Sequence, residues 1–369
     1  MQTVYRRLKW VARKVYIQGQ RLMAEYENRS AYVKSPWQFK VQDNPVPKPA
    51  AGQLLIEIKA CGVCGTDQHI ADRGADDWQP FGHEVAGVIK AVGADVPLFK
   101  VGDRVAVDSS APCGVCDNCL PPPLGRGRPD ICQKPTSYWL SITMGFGQLL
   151  LTPYQQAVPI PDDMPFDIAS LCEPLGVSID LVQAAQITYG DHVLVIGPGP
   201  LGLGAIALAK RMGASHIYTA GRSTSKARME AAMALGTDTF ISVDKTPLAD
   251  YKFGKRQPDK ILVTAQPDSL PVAFKLAAQG GIISYIGVGM NHTKEVSFDA
   301  DDIHFRKLSI RPSHAWPGTH AAESVRLLQT EPALGPTLIS HRFGLEEIEQ
   351  AMLTVRDNRT VAKKVVMVQ

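Results

Sequence analysis

The chain has 369 residues, room for two domains of ordinary size, with 45% hydrophobic and 20% charged residues, the balance of a soluble globular enzyme. A formal net charge of +3, evenly spread, argues against a nucleic-acid partner, and no apolar run reads as long enough to span a bilayer, so no membrane partner is expected. Seven cysteines, an odd number at close spacings, fit metal ligation in a reducing, cytoplasmic compartment better than a disulfide framework.

Residues 1–23 form an acid-free arm carrying Arg6, Arg7, Lys9, Arg13, Lys14 and Arg21, with Val4, Leu8, Val11 and Val15 at helical spacing. Such an arm is either an amphipathic targeting or membrane-surface segment or a disordered overhang before Met23. From residue 24 to about 177 the chain is rich in Gly, Pro and Cys, with short β-like runs such as Leu54–Ala60 and Val85–Val92. Turn signals such as Pro45–Pro49 and Val101–Asp103 separate them, and this part reads as a compact, mostly β domain.

Two sets of metal ligands fall inside it. Cys113, Cys116 and Cys119 repeat a C-x-x-C spacing, and Cys132 follows after a longer gap that holds the loop Pro121–Arg128. Four thiolates close a tetrahedron and leave no open position, so this set predicts a structural zinc. The second set is scattered: Cys64, the pair His83 and Glu84, and Glu173. One thiolate, one imidazole and a carboxylate leave a place open, as a catalytic zinc requires. Singly, each has a plainer reading: His83 as a core histidine, Glu84 as a helix cap, Cys64 as a small buried hydrophobe. Cys61 and Cys172 read as packing thiols.

From about residue 178 strands and helices alternate. Strands are expected at His192–Gly197, His216–Gly221, Thr239–Asp244, Lys260–Ala265, Gly281–Gly287 and Leu308–Arg311, with helices at Leu201–Met212 and Ser225–Leu235. That rhythm predicts a doubly wound parallel sheet, an α/β architecture. Gly197-Pro198-Gly199-Pro200-Leu201-Gly202 follows the first of these strands and opens a helical run, the context a dinucleotide loop needs. Gly197 makes the tight turn, Gly199 admits the pyrophosphate, and Gly202 lets helix pack on strand. At the end of the second strand an NAD site would place an acid. Here stands Gly221, followed by Arg222 and Ser223, with Thr224, Lys226 and Arg228 nearby. A guanidinium can pair with a 2′-phosphate that a carboxylate would repel, so NADP is expected over NAD. Beyond about residue 312 come helical patterns at Thr319–Leu328 and Leu345–Arg356 and an apolar end at Val365–Val368.

Taken in order, Cys61-Gly62-Val63-Cys64-Gly65-Thr66-Asp67, Gly82-His83-Glu84, the cysteine lobe, Glu173-Pro174-Leu175 and the glycine loop resemble the zinc-containing medium-chain alcohol dehydrogenases. Within them the chain is most similar to the polyol (sorbitol), sugar and threonine dehydrogenase branch. The resemblance implies a GroES-like catalytic domain from residues 24–177 and 312–369, interrupted by a Rossmann domain at 178–311. It implies two zinc ions per chain, the catalytic one at Cys64 and His83 with Glu84 as a third or exchanging ligand and Glu173 close by. It also implies Arg306 beside that glutamate, and Thr66 with His69 as a proton relay. The cofactor loop then includes Gly197, Gly199, Pro200, Leu201 and Gly202, with Gly221, Arg222, Ser223 and Lys226 around the adenosine end.

The implied activity is hydride transfer between a secondary alcohol of a polyol or sugar-like small molecule and NADP, in a homo-oligomer, dimer or tetramer. A threonine-type amino-alcohol dehydrogenase is the alternative within the enzyme class. A catalytically inactive zinc and nucleotide binder is the alternative outside it, and the intact set of Cys64, Thr66, His83, Glu84 and Glu173 argues against that. The longer gap before Cys132 and the short stretch between Cys64 and Gly82, with Asp72, Asp76, Asp77 and Trp78 inside it, depart from the family pattern.

Overall fold

The computed structural model describes residues 24–139, 141–288 and 295–369, and the basic arm at 1–23 lies outside the described residues. Four sheets are present among them. A small pair joins β1 (Ala24–Tyr26) and β4 (Val46–Pro47), and a three-stranded sheet joins β3 (Gln38–Asp43), β2 (Arg29–Lys34) and β6 (Gln79–Pro80). The largest, seven-stranded, runs β10 (Ala157–Pro159), β8 (Arg104–Val107), β7 (Glu84–Val92), β5 (Gln53–Gly62), β18 (Lys364–Val368) and β17 (Ile339–Phe343), with β9 (Leu149–Pro153) also on β5.

β5 is the axis of that sheet. Its alternate residues Leu54, Ile56 and Ile58 enter one apolar cluster with Val85 and Ile89, while Leu55 faces another with Leu149 and Leu151. Both faces are covered at its start, which explains the continuous apolar stretch Leu54–Ile56 there, before Glu57 and Lys59 alternate with Ile58. The C-terminal strand β18 returns to pair antiparallel with β5, Val366 opposite Gly62, so the last residues of the chain complete a sheet begun three hundred residues earlier.

The fourth sheet is parallel, in the order β13 (Thr239–Ser242), β12 (His216–Gly221), β11 (His192–Ile196), β14 (Lys260–Val263), β15 (Ile282–Tyr285) and β16 (Ser309–Pro312). In sequence order this is 3-2-1-4-5-6, the arrangement of a dinucleotide-binding sheet. β11, β13, β14 and β15 end one or two residues earlier than their apolar patterns suggest, while β12 has the expected bounds and β16 ends one residue later. After β14, for example, the Thr264 and Ala265 amides both turn back to donate to the Ile196 carbonyl. The expected helix at Leu345–Arg356 opens as a 3₁₀ turn, Leu345–Glu347, before Ile348–Asp357.

The stretch Phe166–Ala185 has the length and composition of a membrane span, but most of it is buried inside the fold. Its main helix, Cys172–Ala185, places Leu175, Ile179 and Val182 in one cluster with Ala60, Ala86 and Ala106 of the seven-stranded sheet. Val193, Val195, Leu203 and Ile206 of the dinucleotide half belong to the same cluster. This apolar helix is the packing partner of both halves.

Candidate metal centres and cofactor site

The short helix Gly65–His69 starts immediately after β5, with Cys64 as its N-cap. Asp67, at the third helical position, accepts from the Cys64 amide at 2.9 Å, and its other oxygen lies 3.5 Å from His83 Nδ1. β7 begins at Glu84, opposite Gly62, so sheet pairing brings Glu84 and its neighbour His83 against Cys64. Ligand atoms of Cys64, His83 and Glu84 all lie within 4.8 Å of one another. A thiolate, an imidazole and a carboxylate converging at that range fit a zinc ion with one position left over. Thr66 Oγ1 stands 3.7 Å from Cys64 Sγ, and His69 lies one helical turn further on.

His83 is fixed from several sides. The Tyr138 hydroxyl donates to its carbonyl at 2.7 Å, and the Trp139 ring lies 5.0 Å from its own. Burial disfavours its charged form, but the Asp67 carboxylate and the Cys64 thiol outweigh this and raise its pKa well above the usual value. Asp67, fully buried, is a residue the spacing argument did not single out, although an acid three positions after a cap was a readable signal. The other is Lys364 at the start of β18, whose ammonium contacts Glu84 and donates to the Val63 carbonyl at 3.0 Å.

Glu173 is not among the three converging donors. It sits in the first turn of the helix Cys172–Ala185 and accepts from Ser109 Oγ at 3.2 Å. Burial raises its pKa, and the Glu84 charge adds to this. Asp108, next to Ser109, is pushed up to about 7 by burial and by Glu173. Arg306 corrects the expectation drawn from the resemblance. Its guanidinium donates to the carbonyls of Phe274 and Ala277 and pairs with Asp302 at 2.7 Å, capping helix ends in the dinucleotide half rather than meeting Glu173. Cys61 and Cys172 are buried packing thiols, Cys172 donating to the Ala321 carbonyl.

The cysteine lobe gathers all four thiols. Sulfur atoms of Cys113 and Cys119 are 4.0 Å apart, those of Cys116 and Cys119 3.5 Å, and those of Cys116 and Cys132 3.8 Å. Zinc–thiolate bonds of about 2.3 Å in a tetrahedron put the sulfurs roughly 3.8 Å apart, so the lobe has the dimensions of a closed zinc site. The long gap before Cys132 is absorbed by a compact turn. The Arg126 amide donates to Asp117, Gly127 to Leu120 and Arg128 to Asn118. Cys116 is pushed down to about 6, first by the Gln133 amide, whereas burial pushes Cys119 up to about 12. Neighbouring thiols cannot all ionise unless a cation joins them.

The glycine loop has the form its sequence implies. Gly197 adopts φ 101°, a left-handed conformation at the turn after β11. A Cβ on Gly199 would meet nothing within 4 Å, so space lies open beside the N-terminus of the helix Pro200–Arg211. A Cβ on Gly202 would stand 2.0 Å from the Gly197 carbonyl oxygen, the close helix-on-turn packing expected there. Pro200 and Leu201 form the first turn of that helix.

The adenosine end differs from its sequence reading in three details. A Cβ on Gly221 would lie 2.7 Å from Pro198 and 2.9 Å from Phe240, so packing against the loop demands a glycine there whatever the cofactor. Ser223 donates through both its amide and its hydroxyl to Asp244, at 2.7 and 2.6 Å, so its donors are already engaged. Arg228 turns away and donates to the Ala362 carbonyl at 2.9 Å. Arg222 and Lys226 are exposed beside the loop.

Residues 50–162 match the family model described as alcohol dehydrogenase GroES-like domain, and residues 200–329 the one described as zinc-binding dehydrogenase. An L-threonine 3-dehydrogenase of Chromobacterium violaceum is 28% identical over 350 residues, covering 90% of this chain and 98% of that protein. The same enzyme of Alteromonas mediterranea is 29% identical, covering 85% and 92%. Among solved structures, an alcohol dehydrogenase of Escherichia coli CFT073 in complex with NADH superposes with TM-score 0.84 at 27% identity, covering 94% of this chain and 100% of that one. A zinc-binding dehydrogenase of Sinorhizobium meliloti bound to NADP has the same fold, with TM-score 0.79 at 23% identity, covering 94% and 100%.

Proposed function

Since the chain belongs to the zinc-containing medium-chain alcohol dehydrogenase family and is an oxidoreductase, we propose that it oxidises a secondary alcohol of a polyol or sugar-like molecule with NADP as hydride acceptor. The observation that carries the reading is the convergence of Cys64, His83 and Glu84 beside Thr66, in a chain that also holds an open glycine loop. Zinc held by these donors would supply Lewis acidity, which brings the pKa of bound water to roughly 7 and acts likewise on an alcohol. In this reading Thr66 would relay the alcohol proton, taking it as its own hydroxyl proton moves on, and His69, one turn along the helix, would receive the proton and pass it outward. Asp67 keeps the His83 ring oriented, and Trp139 covers it. Arg222 is the group offered to a 2′-phosphate.

A second reading, an amino alcohol of the threonine type, is favoured by the relatives of that name, which cover most of the chain. Both have one test: reduction of NADP⁺ and NAD⁺ on a panel of polyols, aldoses and L-threonine, with the wild-type chain and Arg222→Leu. Oxidation of polyols or sugars is expected, with NADP preferred by roughly tenfold to hundredfold, the worth of one charge-assisted pair. Arg222→Leu should erase most of that preference. Turnover of threonine alone would replace the polyol reading, and equal or better use of NAD by the wild type would remove the role of Arg222.

A further inference from the structure

The glycine loop follows β11, and Arg222 follows β12 on one side of it. A dinucleotide laid across the carboxyl ends of such a sheet sends its adenosine end over β12 and its nicotinamide end over β14, β15 and β16. β16 closes at Pro312, and the chain then crosses toward the metal half. The Ser313 amide donates to the Tyr285 carbonyl at the end of β15, and further on the Gly318 amide donates to Ser110 Oγ at 3.0 Å. Ser110 stands beside Ser109, the donor to Glu173, and a side chain at Gly318 would collide with the Asp108 carboxylate. Residues 313–318 therefore reach from the carboxyl edge of the parallel sheet to the neighbours of Glu173.

One side chain fixes the start of this segment. Asp180 lies about two turns after Glu173 on the helix Cys172–Ala185, which carries no other charged residue. Its Oδ2 accepts from the Ser313 hydroxyl and, at 3.1 Å, from the His314 amide. His320 Nε2 stands 3.8 Å from its Oδ1, and His320 Nδ1 3.3 Å from Glu323. Between the two acids a Cβ on Gly176 would come within 3.7 Å of His320 Cβ, so both ends of the segment rest on this helix. Burial opposes the Asp180 charge, but His320, Ser313 and the Ala315 amide outweigh it and hold its pKa below the ordinary value. Ala315 has φ 49°, a left-handed conformation that a residue with a Cβ keeps only when its surroundings impose it. We infer that Asp180 is a positioning residue for the nicotinamide end of the cofactor: it holds residues 313–315 against the helix, so that the crossing segment forms the wall between the nicotinamide ring and the neighbours of Glu173. The inference rests on reading the chain as a nicotinamide-dinucleotide enzyme.

The test compares wild type, Asp180→Ala, Asp180→Asn and Ser313→Ala. Each is titrated with NADPH, followed by nicotinamide fluorescence, and with 2′,5′-ADP, which keeps the adenosine end and has no nicotinamide, followed by calorimetry. Where the wild type prefers NADH, NADH and ADP take their place. Asp180→Ala is expected to weaken NADPH roughly tenfold, about the worth of one lost hydrogen bond. It should also blunt the fluorescence change of the bound ring and leave 2′,5′-ADP binding nearly unchanged. Asp180→Asn keeps an oxygen for Ser313 and His314 and should stay near wild type. Ser313→Ala loses the hydroxyl but not the His314 bond, and should fall between. Equal weakening of both ligands, or wild-type NADPH affinity and fluorescence in Asp180→Ala, would make Asp180 a helix anchor and overturn the inference. Should Asp180→Ala fail to fold, Ser313→Ala decides by the same comparison. A wild type that binds neither dinucleotide would remove the cofactor reading itself, and that result on the unmodified chain distinguishes the two failures.

Discussion

Cys64 is the N-cap of a helix and, in the function proposed above, a metal donor, and the two roles are joined by Asp67, which accepts from its amide and faces His83. Replacing the thiol leaves the cap's backbone bond in place, so Cys64→Ala should fold. Turnover is expected to fall by more than roughly a hundredfold, since even a neighbour of a metal ligand can carry that much. NADP binding, followed by fluorescence titration, should hardly change, because the glycine loop belongs to the other half of the chain. Normal turnover in the zinc-loaded variant would rule out the open site as the place of chemistry. At this scale the sequence was legible where residue type limits chemistry. Cys64 and His83 could be named, but Lys364 could not, because nothing local distinguishes a buried lysine in an apolar terminal strand from a solvated one.

Among the elements, the cysteine lobe is the most self-contained. It has little apolar core, with Val115 and Leu124 exposed, and backbone turns hold its thiols 3.5–4.0 Å apart. Its order should therefore depend on the metal. Cys113→Ala is expected to reduce the zinc content by one ion per chain and the thermal midpoint by about 5 °C or more, with a smaller effect on the chemistry. Normal stability with full zinc content would show that the thiols are ordinary packing groups. The parallel sheet was equally readable, because each strand is bounded by a turn or helix start. Most of its ends were not, β12 excepted, since carbonyls such as that of Ile196 recruit amides from the next loop.

For the molecule as a whole, the helix Cys172–Ala185 sets the coupling between halves. Leu175, 2% exposed, shares one cluster with residues of both sheets. Leu175→Ala should cost about 2–5 kcal/mol, as buried leucine truncations do. Calorimetry should show one transition moving downward as a unit. Separation into two transitions, with the dinucleotide half unaffected, would show that this core does not join them. The contacts of Ala227 with Thr360 and of Arg228 with Ala362 tie the helix after the adenosine loop to the segment leading into β18.

Periodicity, glycine spacing and thiol spacing are local properties, and they determined what could be read without a structure: the alternating α/β half, the phosphate loop and the four-thiol lobe. Long-range meeting is not local. The tertiary structure decided that Glu84 rather than Glu173 joins Cys64 and His83, because β5 and β7 pair with Gly62 opposite Glu84. It decided that Arg306 caps carbonyls of its own domain, that Asp244 engages Ser223, and that Gly221 answers to Pro198. It also brought Lys364 back across nearly the whole chain to Glu84, through a strand pairing whose partner no sequence window contains.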